Sequence, residues 1–310
     1  MTTTEYEEIT LLDGRITGIR VPSADHGDAP LIVYLHGGGG SALEPVMAGS
    51  SQFARAALNG FTGLFSLNRP DYGGSESLGF AGDVDEGFFA ASAERLGDAI
   101  AELWDRYRKG SRGVIVHGSS VGGAIALVLA AQWSAARARG EERWPLLGVA
   151  GTDVGHAPRP QVSAYWYGTE VVDVVENAVT PGMDFGPAWA LPETPITDHG
   201  PFRIPRAEML ELVGGWPRNA QRVAASIDVP VFWRVSEFDP LWQTDDRRVA
   251  EFVEALRTSS PYVDGGVLRG ATHGAFLGPM REAYGFQVLS FFDFCRVASR
   301  VPEVLAKRGG

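Results

Sequence analysis

The sequence predicts an α/β fold, with a mostly parallel central sheet flanked by helices and a cap segment inserted into it. Three observations predict it. Short β-branched runs alternate with longer stretches of helix formers along the 310 residues, the pattern that builds a parallel sheet covered on both faces. The run GVIVHGSSVGG at 113–123 sets two serines at a strand-to-helix turn. The stretch 157–226, rich in Pro, Trp, Tyr and Met, breaks the alternation, so the core is read as 1–156 and 227–310 with 157–226 as a partly helical cap.

Taken in order, EITLLDG and RITGIRVP read as a strand pair joined near Asp13-Gly14, and PLIVYLHGGGG as a buried strand ending in glycines. SSQFARAALNG reads as a helix closed by Gly60, and FTGLFSLNRPDYGGS as the next strand and its loop. GFFAASAERLGDAIAELWDRYRKG is a long amphipathic helix that ends in basic residues and Gly110. Val114, Ile115 and Val116 form a short strand before the serines, and VGGAIALVLAAQWSAARA the helix after them. WPLLGVAGTD, VPVFWRVSEFD and VDGGVLRGATHG are three further strands, the last two each followed by a helical stretch. In a sheet of this kind ligands bind at the carboxyl ends of the strands.

Composition excludes several classes. A formal net charge of −11 argues against nucleic acid or an anionic membrane surface as partner. No run approaches 18 uninterrupted apolar residues, and the opening MTTTEYEEITLLDG lacks the basic and apolar regions of a secretory signal, so a cytoplasmic location is expected. The single Cys295 excludes an intramolecular disulfide and a cysteine-based zinc site, and reads as a packing residue of the last helix.

Of the two serines, Ser120 fits G-x-S-x-G with Gly118 and Gly122, whereas a frame centred on Ser119 meets His117 and Val121. A serine at such an elbow is held on a strained turn, and glycines are needed because strand and helix pass close by. A serine nucleophile needs a base. Of six histidines, His26 falls in a polar loop, His36 beside the glycine run, His117 just before the elbow as a satisfied buried side chain, and His156 and His199 at or inside the cap. His273 follows the last strand and precedes the last helix, which lets its ring descend from a loop above the sheet. The group that orients the imidazole is expected from VFWRVSEFDPL, with Asp239 preferred to Glu237; Asp153, just past the preceding strand, is the alternative. Asp153 and His156 lack a third nearby ligand, and no metal is expected.

The run LHGGGGS at 35–41 offers backbone N–H groups for a developing oxyanion, with the Val121 amide as a second donor. It lacks the G-K-[ST] ending of a phosphate loop, and no G-x-G-x-x-G is present, so no nucleotide or other cofactor is expected.

Together HGGGG, RPDYGGS, GSSVGG, EFDP and ATHG resemble the α/β-hydrolase superfamily, in the right order and over nearly the whole chain. RPDYGGS departs from the more usual Pro-Gly pattern of that loop. The resemblance implies Ser120 as nucleophile, Asp239 as acid, His273 as base, and Gly38, Gly39 and Val121 as oxyanion donors. A serine at 120 argues against the aspartate-nucleophile epoxide hydrolases and dehalogenases of that superfamily. It also implies cleavage of a small-molecule carboxylic ester or lactone, mid-sized and largely apolar. C–C bond hydrolysis or thioester cleavage on the same triad, and a non-catalytic ligand-binding relative, stay open beside it. Of the cap aromatics Tyr165, Trp166, Tyr167, Trp189, Phe202 and Trp216, some pack the cap and some line the substrate pocket; Tyr165, Trp166, Trp189 and Trp216 are taken as the lining set. The cap and the last helix are the surfaces considered for a homodimer interface.

Overall fold

The computed structural model describes residues 5–22, 27–47, 52–61, 63–168, 172–173, 187, 189 and 203–306. Two antiparallel strands open the chain, β1 (Glu7–Leu11) and β2 (Ile16–Val21), joined by a turn in which Leu12, Asp13 and Gly14 all have positive φ. The parallel part follows as β3 (Leu31–Leu35), β4 (Gly63–Leu67), β5 (Val114–Ser119) and β6 (Leu146–Thr152). A small hairpin, β7 (Val172–Asp173) with β8 (Arg203–Ile204), stands apart from the main sheet, which is completed by β9 (Val231–Ser236) and β10 (Val263–Leu268). The spatial order is β1-β2-β4-β3-β5-β6-β9-β10, parallel from β4 to β10.

Both faces of this sheet are covered, so its central strands are buried nearly throughout instead of alternating with exposed polar residues. In β3 every residue is buried: Leu31, Val33 and Leu35 face one core, Ile32 and Tyr34 the other. Val114 and Val116 against Ile115 in β5, and Val231, Trp233 and Val235 against Phe232 in β9, repeat the division. The first core is closed by α2 (Phe88–Tyr107) and α3 (Val121–Ala138), the second by α1 (Gln52–Leu58) and α8 (Arg281–Arg300), where Cys295 is buried. Along α2 the buried residues Phe89, Ala93, Leu96, Ile100 and Leu103 recur at helical spacing, one stripe against the sheet.

Between β6 and β9 lie α4 (Pro160–Gly168), the β7/β8 hairpin, α5 (Arg206–Leu210), one π-helical turn (Glu211–Gly215) and α6 (Trp216–Ala225); α7 (Asp246–Arg257) follows β9. The expected 157–226 segment therefore divides. Its last helix, α6, packs on α3 and α7 and belongs to the layer covering the sheet. This corrects the expected boundary at 227, and the physical reason is that α6 carries an apolar stripe, Trp216, Ala220, Val223 and Ala224, that the sheet layer buries. The π turn also reaches that layer, where the Glu211 carboxylate accepts from the Phe89 N–H at 2.8 Å and caps the start of α2.

Candidate active site

The serine elbow begins at the end of β5, in the middle of the sheet. Ser120 has φ 53° and ψ −123°, a conformation that side-chain-bearing residues adopt only when the surroundings enforce it. The elbow is tight enough that a β-carbon on Gly118 would meet the Gly122 carbonyl at 2.0 Å, and one on Gly122 would meet the carbonyls of Leu35 and His36 at 2.3 Å each. The G-x-S-x-G spacing is thus a packing requirement of strand against helix. The Ser120 N–H donates to the Thr152 carbonyl on β6 at 2.7 Å, which fixes the turn to the neighbouring strand.

His273 lies in the loop between β10 and α8, as its position in the chain predicts, and its ring spans two partners. Nδ1 donates to Asp239 Oδ2 at 2.8 Å, and Nε2 accepts from Ser120 Oγ at 3.0 Å. Asp239 is fully buried in the turn after β9, where its other oxygen accepts the N–H groups of Leu241 (2.9 Å) and Trp242 (3.3 Å). Burial by itself would lower the His273 pKa, but the Asp239 carboxylate outweighs it and holds the imidazole above its ordinary 6.5. Hydroxyl, imidazole and carboxylate in this order can pass a proton off the serine and stabilise the imidazolium that results.

Asp153, the alternative acid, is buried at the end of β6 with φ 54°. Its oxygens are bonded to serines and not to the imidazole: Oδ1 accepts from Ser236 Oγ at 2.9 Å and Oδ2 from Ser119 Oγ at 3.5 Å. Burial, reinforced by the Asp239 charge, pushes its carboxyl up to about 6. Ser119 is buried, with its hydroxyl on Asp153 and Tyr34. Glu237 is spent on Arg269 (3.0 Å) and the Gly270 N–H (2.8 Å). His117 is buried beneath the elbow, with Nε2 3.0 Å from Tyr284 Oη, and burial pushes its pKa down to about 3. His156 stacks on Phe252 and stands 3.7 Å from Glu251, so it does not converge with Asp153, and no metal-binding group of three or more His, Cys, Asp or Glu exists among the described residues. His26, His199 and Phe202 lie outside the described residues.

The glycine run follows β3 and borders the serine. Among the described residues, the N–H groups of Gly38 and of Val121, the first residue of α3, have no acceptor. Two unspent donors beside a serine hydroxyl are what an oxyanion requires. Gly39 differs: its N–H donates to Tyr72 Oη at 3.4 Å, which takes it out of the free set. Ile204 on β8 covers the run, its Cδ1 2.9 Å from where a β-carbon on Gly38 would stand, and Val121 flanks the same point at 3.3 Å.

Several surrounding residues were given no role by the sequence. Glu44, buried under the glycine run, accepts from Tyr34 Oη (2.7 Å) and the Gly37 N–H (3.3 Å), and burial pushes its carboxyl up to about 7. Arg69 and Glu208, 139 residues apart and wholly buried, form a two-pronged ion pair at 2.5 and 3.1 Å, and Tyr72 Oη donates to the same carboxylate at 2.7 Å. Arg69 and Tyr72 fall within RPDYGGS, the sequence feature that lies at this pair.

The cap aromatics divide. Trp216 packs between Phe89 and Phe252 with its indole N–H on the Gly155 carbonyl (2.7 Å), the surroundings of a core residue; its expected place in the lining set is corrected, because the stripe of α6 faces the sheet. Trp166 is buried, with no acceptor for its indole N–H among the described residues, and Tyr165 is half-buried beside it on α4. Trp189 and Tyr167 are exposed, Trp189 edge-on to Phe238, the residue before Asp239.

Comparison with known proteins extends the fold. No protein-family model matches the chain, and no curated protein does. Among solved structures it is similar to a thermostable carboxyl esterase from Bacillus coagulans (TM-score 0.63, 15% identity, 96% of this chain and 100% of that one). It is also similar to an E-2-(acetamidomethylene)succinate hydrolase (TM-score 0.58, 17% identity, 93% and 100%) and to a brefeldin A esterase described as a bacterial homologue of human hormone sensitive lipase (TM-score 0.52, 21% identity, 94% and 77%). At these identities the likeness establishes the α/β-hydrolase fold, and function has to be argued from the site.

Proposed function

We propose that the chain is a serine hydrolase that cleaves a carboxylic ester or lactone through an acyl-enzyme. The observation that carries this reading is the continuous hydrogen-bonded line from Ser120 Oγ through His273 to Asp239, starting from a serine in a strained elbow. In the proposed reaction Ser120 Oγ attacks the carbonyl carbon as its proton passes to His273 Nε2. The negative charge on the carbonyl oxygen is received by the Gly38 and Val121 N–H groups. The tetrahedral intermediate then expels the alkoxide, which takes the proton back from His273. Water, deprotonated by the same nitrogen, attacks the acyl carbon and releases the acid, restoring Ser120. Asp239 keeps Nδ1 protonated throughout.

The inserted segment supports an apolar substrate: Ile204 overlies Gly38, and Trp189 with Phe238 offers an aromatic pair beside the Asp239 turn. In this reading the segment up to the π turn is the cap. The test is covalent labelling with a fluorophosphonate followed by peptide mapping. Label on Ser120 that is lost in His273→Ala supports an activated nucleophile, and turnover of an ester and lactone series then sets the substrate class. A folded protein that takes no label on either serine overturns the reading.

A further inference from the structure

Gly38 offers its N–H to the proposed oxyanion, and that N–H shares one rigid peptide unit with the Gly37 carbonyl. The Gly37 oxygen is unusually heavily bonded. It accepts from Arg69 Nη2 at 2.9 Å, from His36 Nδ1 at 2.8 Å and from the Gly40 N–H at 3.2 Å. Donors on the carbonyl end of a peptide draw electron density toward that oxygen and make the N–H at the other end a stronger donor, most of all when a donor is charged.

We infer that Arg69 is a positioning residue for the reaction: it orients and polarises the Gly37–Gly38 peptide so that the Gly38 N–H is aimed and strengthened, and Glu208 of the inserted segment holds it in place. The inference rests on the acyl-transfer reading above. The guanidinium has no freedom to do otherwise. Its Nε donates to the His36 carbonyl at 2.8 Å, its face lies 4.5 Å over the Tyr72 ring, and its two Nη atoms are fixed by the Glu208 carboxylate. The Arg69 N–H in turn donates to His36 Nε2 at 3.1 Å, which leaves the proton of the neutral ring on Nδ1, where it meets the Gly37 oxygen. Burial, with the Arg69 charge beside it, keeps the His36 pKa well below 6.5, so this tautomer holds across the working pH range. Tyr72 joins the device from the far side, accepting the Gly39 N–H while donating to Glu208. Three groups of the glycine run are thereby tied, through two side chains, to one carboxylate on α5.

Packing alone does not account for the pair. Two charges taken wholly out of water are costly, and apolar residues of similar volume fill such a site as well or better. What a guanidinium supplies that an apolar side chain cannot is a planar fork reaching two carbonyls and a carboxylate at once.

The test removes the pair as a unit, so that no buried charge is left alone. In Arg69→Met/Glu208→Leu, thermal unfolding reports the fold and turnover of an unactivated ester reports the chemistry. The expected result is a fall in kcat of about ten- to a hundredfold with KM within about twofold, since one weakened oxyanion donor acts on the transition state alone. Affinity for a boronic acid, which forms a tetrahedral adduct on the serine, should fall by the same factor, while a non-reactive amide analogue binds as before. A folded double variant with unchanged kcat, or one whose loss appears only in KM with unchanged boronate affinity, overturns the inference. Should the double variant fail to fold, Arg69→Lys keeps the charge and the partner but loses the fork. It should then lower kcat and boronate affinity together, and equal activity in Arg69→Lys refutes the role. A wild-type chain with no Ser120-dependent turnover would instead sink the proposed function, an outcome read before any variant is made.

Discussion

Asp239 and Asp153 stand at the carboxyl ends of adjacent parallel strands, both buried, each in the turn that leaves the sheet. One is bonded to His273 and one is not. Asp239 lies one turn further from its strand, where the N–H groups of Leu241 and Trp242 hold one oxygen and direct the other at the imidazole. Asp153 is turned by a left-handed backbone onto the hydroxyls of Ser236 and Ser119. The same residue type at equivalent ends of two strands therefore does different work, and what separates the two is the direction the local backbone gives the carboxylate.

The contrast can be broken by substitution. Removing the groups that react in the proposed mechanism should cost most: Ser120→Ala and His273→Ala are each expected to lower kcat by about a thousandfold or more in a steady-state ester assay. Asp239→Asn should follow at about a thousandfold, because the amide leaves the imidazole in the wrong tautomer, whereas Asp153→Asn should stay within about tenfold. The reverse order of those two variants would move the acid to β6. Ser119→Ala, which loses a long contact to Asp153 and a hydrogen bond to Tyr34 but none to His273 that the structure records, should remain within about threefold.

Acidity sharpens the same contrast. The proposed reaction needs neutral His273, whose pKa is raised above 6.5, so kcat/KM should rise with pH through an apparent pKa above that value. The Asp153 charge, though not hydrogen-bonded to the ring, contributes to raising its pKa. Asp153→Asn removes a nearby negative charge and should shift the limb to lower pH, where a pH–rate profile would detect it; a limb that stays in place would detach Asp153 from the ring's electrostatics.

The smallest effect concerns stability. Glu44 has its folded pKa raised to about 7 from an ordinary 4.5. The folded state therefore binds its proton more tightly than the unfolded one, so this contribution is fully present below 4.5 and is lost as pH rises through 7. Glu44→Gln cannot lose a proton. Its Tm relative to wild type should rise between pH 5 and pH 8, as calorimetry at the two pH values would show, and a constant difference would refute the assignment.

Much of this was legible from residue order. The elbow could be read because Gly118 and Gly122 sit where strand and helix leave no room for a β-carbon, a local constraint that spacing records. His273 could be read because it lies between the last strand and the last helix. The glycine run could be read as a source of donors, but not which N–H groups remain free: Tyr72, 33 residues on, takes that of Gly39. Trp216 was misplaced because an aromatic-rich stretch looks alike whether it lines a pocket or feeds the core, and only the stripe of α6 against α3 and α7 separates the two.

By itself the sequence determined the parallel sheet, the strained serine and the loop whose histidine bonds to it, since periodicity, glycine spacing and position along the chain are local or ordered quantities. The tertiary structure alone decided which carboxylate meets the imidazole, which amides stay unpaired, and that Glu208 pairs with Arg69 beneath the glycine run. Those depend on the directions of buried groups far apart in the chain, and burial turns small differences in direction into the difference between a satisfied group and an available one.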